Sequence, residues 1–141
     1  MIILDTNVLS ALMQQPADPT VLGWLDAQPA EAIWITSITV FEARYGIALL
    51  PEGERRSGLL QRLGEVLQIE FGNRVLLFDV RAASCAAELA ASRRTRGRTV
   101  DMRDTMIAGI AMARGGVLAT RNTRHFADLT VPVIDPWTVG S

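Results

Sequence analysis

Short, wholly apolar runs alternate along the chain with longer stretches that have helical spacing. Ile2 to Leu4 is such a run, the pattern of a strand buried on both faces. Thr6 or Asn7 is placed to cap a short helix through about Met13. Asp18-Pro19 supplies a capping carboxylate and a first residue with preset φ, which predicts a helix through Ala27. Ala32 to Thr36 reads as a second buried strand. Ser37 caps a helix from about Ile38 to Leu50, which Pro51 ends. Glu54 to Gln68 is amphipathic, with Leu59, Leu63, Val66 and Leu67 on one face. Arg74 to Phe78 is a third strand. Asp79 caps an alanine-rich helix to about Arg94, and Gly97 breaks it. Another helix runs from about Met102 to Ala113 and stops at Gly115-Gly116. Val117 to Thr120 and Val131 to Ile134 are the last strands. This alternation implies an α/β fold with a mostly parallel sheet covered on both faces. Such sheets bind ligands beyond the carboxyl ends of their strands, which directs attention to polar residues there.

Three acids stand at such places. Asp5 follows Ile2-Ile3-Leu4 directly. Glu42 interrupts the apolar stretch Ile38-Thr39-Val40-Phe41-Glu42-Ala43, early enough in its helix to lie near the same sheet edge. Asp104 occupies the first turn of the helix Asp104-Thr105-Met106-Ile107-Ala108. Asn122 follows Leu118-Ala119-Thr120 at another strand end. Each acid also has an ordinary structural role open to it. Asp104 suits the helix dipole, Asp5 can cap the next helix, and Glu42 can face solvent. Taken together, they converge on one edge of one sheet. Carboxylates that close repel each other and shift each other's protonation unless a cation intervenes. A hard divalent ion with oxygen ligands, Mg²⁺ or Mn²⁺, is the physical solution. Such an ion suits phosphodiester hydrolysis, because it activates water and stabilises the leaving oxygen. Gly46, one turn beyond Glu42, costs its helix about 1 kcal/mol against alanine. It points to something packed close by.

Composition narrows the picture. With 141 residues, 49% hydrophobic and 21% charged, the chain fits one compact domain, residues 1–141, with a real core. A net charge of -1 gives no overall attraction to nucleic acid, so any such binding needs a local basic patch or metal ions. The single cysteine, Cys85, cannot pair internally and reads as buried packing in a reducing, cytoplasmic setting. Neither a signal segment nor an apolar run of the roughly 20 residues a membrane span needs is expected.

The segments Ile3-Leu4-Asp5-Thr6-Asn7, Thr36 to Gly46, Asp104-Thr105-Met106-Ile107-Ala108 and Leu118 to Phe126 occur in that order. Together they resemble PIN-domain proteins of the VapC/FitB type over nearly the whole chain. The resemblance implies a three-layer α/β/α sandwich with a central, mostly parallel sheet. It implies a Mg²⁺- or Mn²⁺-dependent endoribonuclease, the toxin of a toxin–antitoxin pair. Asp5, Glu42 and Asp104 would form its acidic site, with Asp5 and Asp104 as direct metal ligands. A fourth family position, often aspartate, falls on Asn122, which leaves a second metal open. Thr6 and Thr120 would hydrogen-bond ligands or waters. The implied partners are RNA, a small DNA-binding antitoxin, and a second copy of the chain in a homodimer or larger assembly.

The remaining features carry two readings each. Arg121 and Arg124 flank Asn122 and are placed for RNA phosphates. Arg93, Arg94, Arg96 and Arg98 suit either phosphate guidance or a solvated helix end. Asp101 suits the start of a helix better than the site, and His125 suits a loop better than a base. Trp24, Trp34 and Trp137 suit the core or an interface. A phosphoaspartyl enzyme is a competing class, but Asn7 stands where such phosphatases place a second aspartate, and the chain contains no lysine. A binding module with the same fold and weak catalysis is the other alternative.

Overall fold

A computed structural model describes residues 1–138, so residues 139–141 of the expected domain lie outside the described residues. Among the described residues, five strands form one sheet. They are β1 (Ile2–Leu4), β2 (Ile33–Thr36), β3 (Val75–Leu76), β4 (Val117–Ala119) and β5 (Val133–Ile134). Their order is β3-β2-β1-β4-β5, and every pairing is parallel. Central β1 aligns Ile2 with Ile33 on one side and with Val117 on the other.

Strand periodicity sorts the core into two halves. Leu4, Ile33, Ile35 and Ala119 face one way, into a cluster with Val8, Val21, Trp24, Ile47, Leu63 and Phe71. Ile3 and Leu118 face the other way, toward Ala82, Leu89, Ile107, Ile110 and Phe126. Helices α1 (Thr6–Met13), α2 (Pro19–Asp26), α3 (Ser37–Ala48) and α4 (Glu54–Glu65) therefore supply the first layer, and α5 (Val80–Thr95) and α6 (Met102–Arg114) the other. The result is the expected α/β/α sandwich.

Helix starts follow the capping chemistry. Asp18 accepts from the backbone N–H groups of Thr20 and Val21, with Pro19 first in the helix, and Asp79 accepts from Ala82. α6 stops at Gly115, whose φ of 65° is the left-handed conformation that glycine adopts freely. Of the candidates Asp5, Thr6 and Asn7, it is Asp5 that caps α1, and Thr36, one residue earlier than the expected Ser37, caps α3. The chain turns straight from strand into helix at both places, so the last strand-like residue becomes the cap. α4 runs into a π-helical turn, Val66–Glu70, and β3 is only two residues long. Beyond Leu76 the chain leaves the sheet, and Phe78 donates its N–H to the Ser37 hydroxyl instead of continuing the ladder.

Two further expectations are corrected. Gly46 is exposed, and a Cβ there would meet nothing. The close approach is at Gly109, where a Cβ would lie 2.6 Å from the Ala82 carbonyl oxygen and 2.7 Å from the Ala86 Cβ. Cys85 is half-buried rather than enclosed.

Candidate active site

The chain runs β1-β2-β3 to one side of the sheet and returns to β4-β5 on the other, so the strand order reverses between β1 and β4. A crevice opens beyond the strand ends at such a reversal. Asp5 lies there, immediately after β1, and its backbone N–H donates to the Ala119 carbonyl of β4.

Asp5 is 3% exposed. Its Oδ1 accepts from the Thr6 backbone N–H at 2.8 Å, and its Oδ2 accepts from the Thr120 hydroxyl at 2.7 Å and from Asn7 Nδ2 at 3.3 Å. Burial nonetheless pushes its carboxyl up to about 6. The Thr120 and Thr6 hydrogen bonds offset part of that push, while the charges of Asp104 and Glu42 add to it. Three carboxyl groups from β1, α3 and α6 thus share one electrostatic neighbourhood.

Glu42 arrives through threonines. The Thr6 hydroxyl donates to Glu42 Oε1 at 2.9 Å and lies 3.0 Å from the buried Thr39 hydroxyl. Arg103 Nη1 sits 3.7 Å from Glu42 Oε2. Asp104 stands at the head of α6, where its backbone N–H donates to Asp101 Oδ1 at 3.0 Å. Asp101 is therefore the cap of that helix and not a member of the acidic group. Asp104 Oδ2 lies 3.1 Å from His125 Nδ1.

The β4 side is organised around Thr120. Its buried hydroxyl, besides serving Asp5, accepts from the Asn122 backbone N–H at 3.1 Å and from Asn7 Nδ2 at 3.3 Å. Asn122 is exposed and its side chain caps nothing. Asn7 Oδ1 accepts from the Arg121 backbone N–H at 3.2 Å. The Arg121 guanidinium is stacked 4.6 Å above the Trp137 ring, and Arg124 is exposed on the following turn, Thr123–Phe126.

Among the described residues no three Asp, Glu, His or Cys side chains close into a ready-made metal cage. Mg²⁺ does not require one. It binds through one or two carboxylates, keeps several waters and completes its shell with substrate phosphates. An all-oxygen donor set with a buried, charge-strained Asp5 fits such an ion.

Sequence reasoning missed several groups. Asn7 and Thr39 tie the acids' neighbours together. His125 touches Asp104 by its side chain, which an exposed loop histidine gave no hint of. The cluster Arg93 to Arg98 is not simply a solvated helix end, because Arg93 is buried and Arg93, Arg96 and Arg98 all pair with Asp128. The tryptophans follow expectation, with Trp24 buried and Trp34 and Trp137 packed against the two cores.

A family model described as "PIN domain" matches residues 2–131. The chain is 44% identical to "Plasmid stability protein StbB" of Pseudomonas syringae pv. tomato over 137 residues, 97% of this chain and 99% of that one. It is also 44% identical to "VapC ribonuclease Y4jK" of Sinorhizobium fredii over 138 residues, 97% and 98% of the two chains. Its fold superposes with a TM-score of 0.88 on a chain from the structure of FitAB bound to a DNA fragment, at 33% identity and covering 100% of this chain and 99% of the other.

Proposed function

The chain belongs to the PIN-domain family, in its VapC/FitB branch, and on that premise we propose that it is a divalent-metal-dependent endoribonuclease acting as the toxin of a toxin–antitoxin pair in the cytoplasm. The observation that carries this reading is the Asp5 carboxyl, buried beside Asp104 and Glu42 and pushed up to about 6. A group so strained by burial and like charge is a functional-site candidate with a stated cause.

In this reading residues 1–141 act as one PIN domain. Asp5 and Asp104 hold the ion, Mg²⁺ or Mn²⁺, and Glu42 completes the acidic group. When bound, the ion supplies water activation and charge neutralisation at the phosphate. Thr120 and the Thr6 N–H fix the rotamer of Asp5, so both oxygens are oriented before any ligand arrives. The Thr6 hydroxyl holds Glu42 against the start of α1. Asn122, exposed beside Thr120, offers a carbonyl oxygen to a ligand's water but no charge. Arg121 and Arg124 contact RNA phosphates, with the Arg121 guanidinium stacked on the Trp137 ring.

Partner surfaces fit the same reading. An open groove between α1, α2 and the end of α4, lined by Leu12, Leu22, Leu25, Val66 and Phe71, suits the apolar side chains of a small DNA-binding antitoxin. The FitAB–DNA structure supports a complex of this kind. Exposed Phe41, Tyr45, Leu77, Val80 and Met102 suit a homodimer contact. No helix among the described residues is long and apolar enough to cross a membrane.

One observation favours a second reading, a weakly catalytic binding module: Asn122 brings no charge to the family's fourth acidic position. Cleavage of a panel of RNAs by the purified, antitoxin-free chain separates the two. The nuclease reading expects cleavage with Mg²⁺ or Mn²⁺, none in EDTA, and loss to background in Asp5→Asn. No cleavage with either ion across diverse RNAs would favour the module.

A further inference from the structure

Arg93 is a charge placed where charge is costly. It is 3% exposed and lies on the stripe Ala82, Ala86, Leu89, Arg93 that α5 buries. Its guanidinium is almost fully engaged. Nε and Nη2 donate to the two oxygens of Asp128, each at 2.9 Å. Nη2 also donates to the His125 carbonyl at 2.7 Å, and Nη1 to the Thr105 hydroxyl at 3.2 Å. The Thr105 hydroxyl in turn donates to the Asp101 carbonyl at 2.7 Å. Arg96 and Arg98 close over Asp128 from outside, each at 3.0 Å.

Fold stability alone does not account for this arrangement, because a buried ion pair is about as stable as, or less stable than, apolar residues of similar volume. The bonds do fix relative position. From the end of α5, one planar fork grips Asp128, the first turn of α6 and the turn Thr123–Phe126. Within the latter two, it grips the residue after Asp104 and the backbone of His125; the Asp104 and His125 side chains meet at 3.1 Å. We propose that Arg93, oriented by Asp128, is a positioning residue that fixes the Asp104 carboxylate and the His125 imidazole relative to one another at the site. The proposal rests on the reading that Asp104 belongs to the metal-binding group. Arginine is required because only its rigid fork reaches four acceptors in fixed directions.

The test uses the full chain and three variants. Arg93→Met/Asp128→Leu removes both charges and keeps the volume filled, so the protein should fold with a Tm near wild type. His125 is the sole histidine, so its ¹⁵N-labelled imidazole gives one set of signals. In the double variant the Nδ1 signal should move to the position it takes in Asp104→Asn. The kcat for RNA should fall roughly 10–100-fold with KM nearly unchanged, the usual effect of losing a partner of a metal ligand. Arg93→Lys keeps the charge without the fork and should fall between. A folded double variant with the wild-type imidazole signal, or with wild-type kcat, would overturn the proposal. If the double variant does not fold, the same two readings on Arg93→Lys decide. If wild type cleaves no RNA, the nuclease reading fails by itself. The imidazole signal then still tests the positioning role, and an unmoved signal overturns it.

Discussion

Hydrogen bonds from Thr120 and Thr6 do not offset the cost of burying the Asp5 charge, and the neighbouring Asp104 and Glu42 carboxylates add to that cost. The consequence is a pH dependence of defined sign. Asp5 titrates near 6 in the folded chain and near 3.8 unfolded, so the folded state binds the extra proton between these values. Its contribution is fully present below about pH 4 and is lost as pH rises through about 6. In EDTA, wild type should therefore lose stability relative to Asp5→Asn across that window, by up to about 3 kcal/mol. Saturating Mg²⁺ should cancel the difference. Chemical denaturation at stepped pH measures it, and parallel curves for the two proteins would refute the cause assigned here. The three acids were legible because a charged residue right after an apolar strand, or inside an apolar helix face, needs a reason. Arg93 was half-legible, since positions 82, 86, 89 and 93 form one helical stripe and only the last is charged. Asp128 and His125 were not legible. Each stands in a segment without periodicity, and its importance comes from contacts more than 20 residues away in sequence, such as His125 with Asp104 and Arg93 with Asp128.

At the scale of elements, the capping residues and glycine stops announced most helices, because their chemistry is local. Strand lengths did not follow from the sequence alone. Arg74 to Phe78 is apolar enough for a strand, yet only Val75 and Leu76 pair in register with β2. The glycines show the same limit, since a close approach depends on the helix opposite. Gly109 lets α6 lie against Ala82 and Ala86 of α5, whereas Gly46 faces open space. Alanine at the two positions should therefore act with opposite signs. In Gly109→Ala the new methyl meets a backbone oxygen, and overpacking of about 1–3 kcal/mol exceeds the helix-propensity gain. Gly46→Ala should stabilise by up to about 1 kcal/mol. Denaturant midpoints read both. A stable Gly109→Ala would mean that α5 and α6 can separate at little cost, and with them the seat of Asp104.

For the molecule as a whole, a net charge of -1 excludes long-range attraction of a polyanion, so recognition has to be built locally. The fold does this at the point where the strand order reverses. Asp5 after β1, Glu42 of α3 and Asp104 of α6 lie within electrostatic reach of one another there, and Arg121 and Arg124 stand on the β4 side. The alternation of strands and helices made that place foreseeable, whereas the threonine and asparagine bonds that tie the acids' neighbours together emerge only from tertiary packing. Everything proposed about function requires the acids to hold a dication jointly. Titration of Mn²⁺ into the metal-free chain at neutral pH, followed by electron paramagnetic resonance, tests this most directly. The account predicts saturable binding by wild type, lost in Asp5→Asn and in Asp104→Asn while both remain folded. Undiminished Mn²⁺ binding by a folded Asp5→Asn chain, or none by wild type, would contradict it.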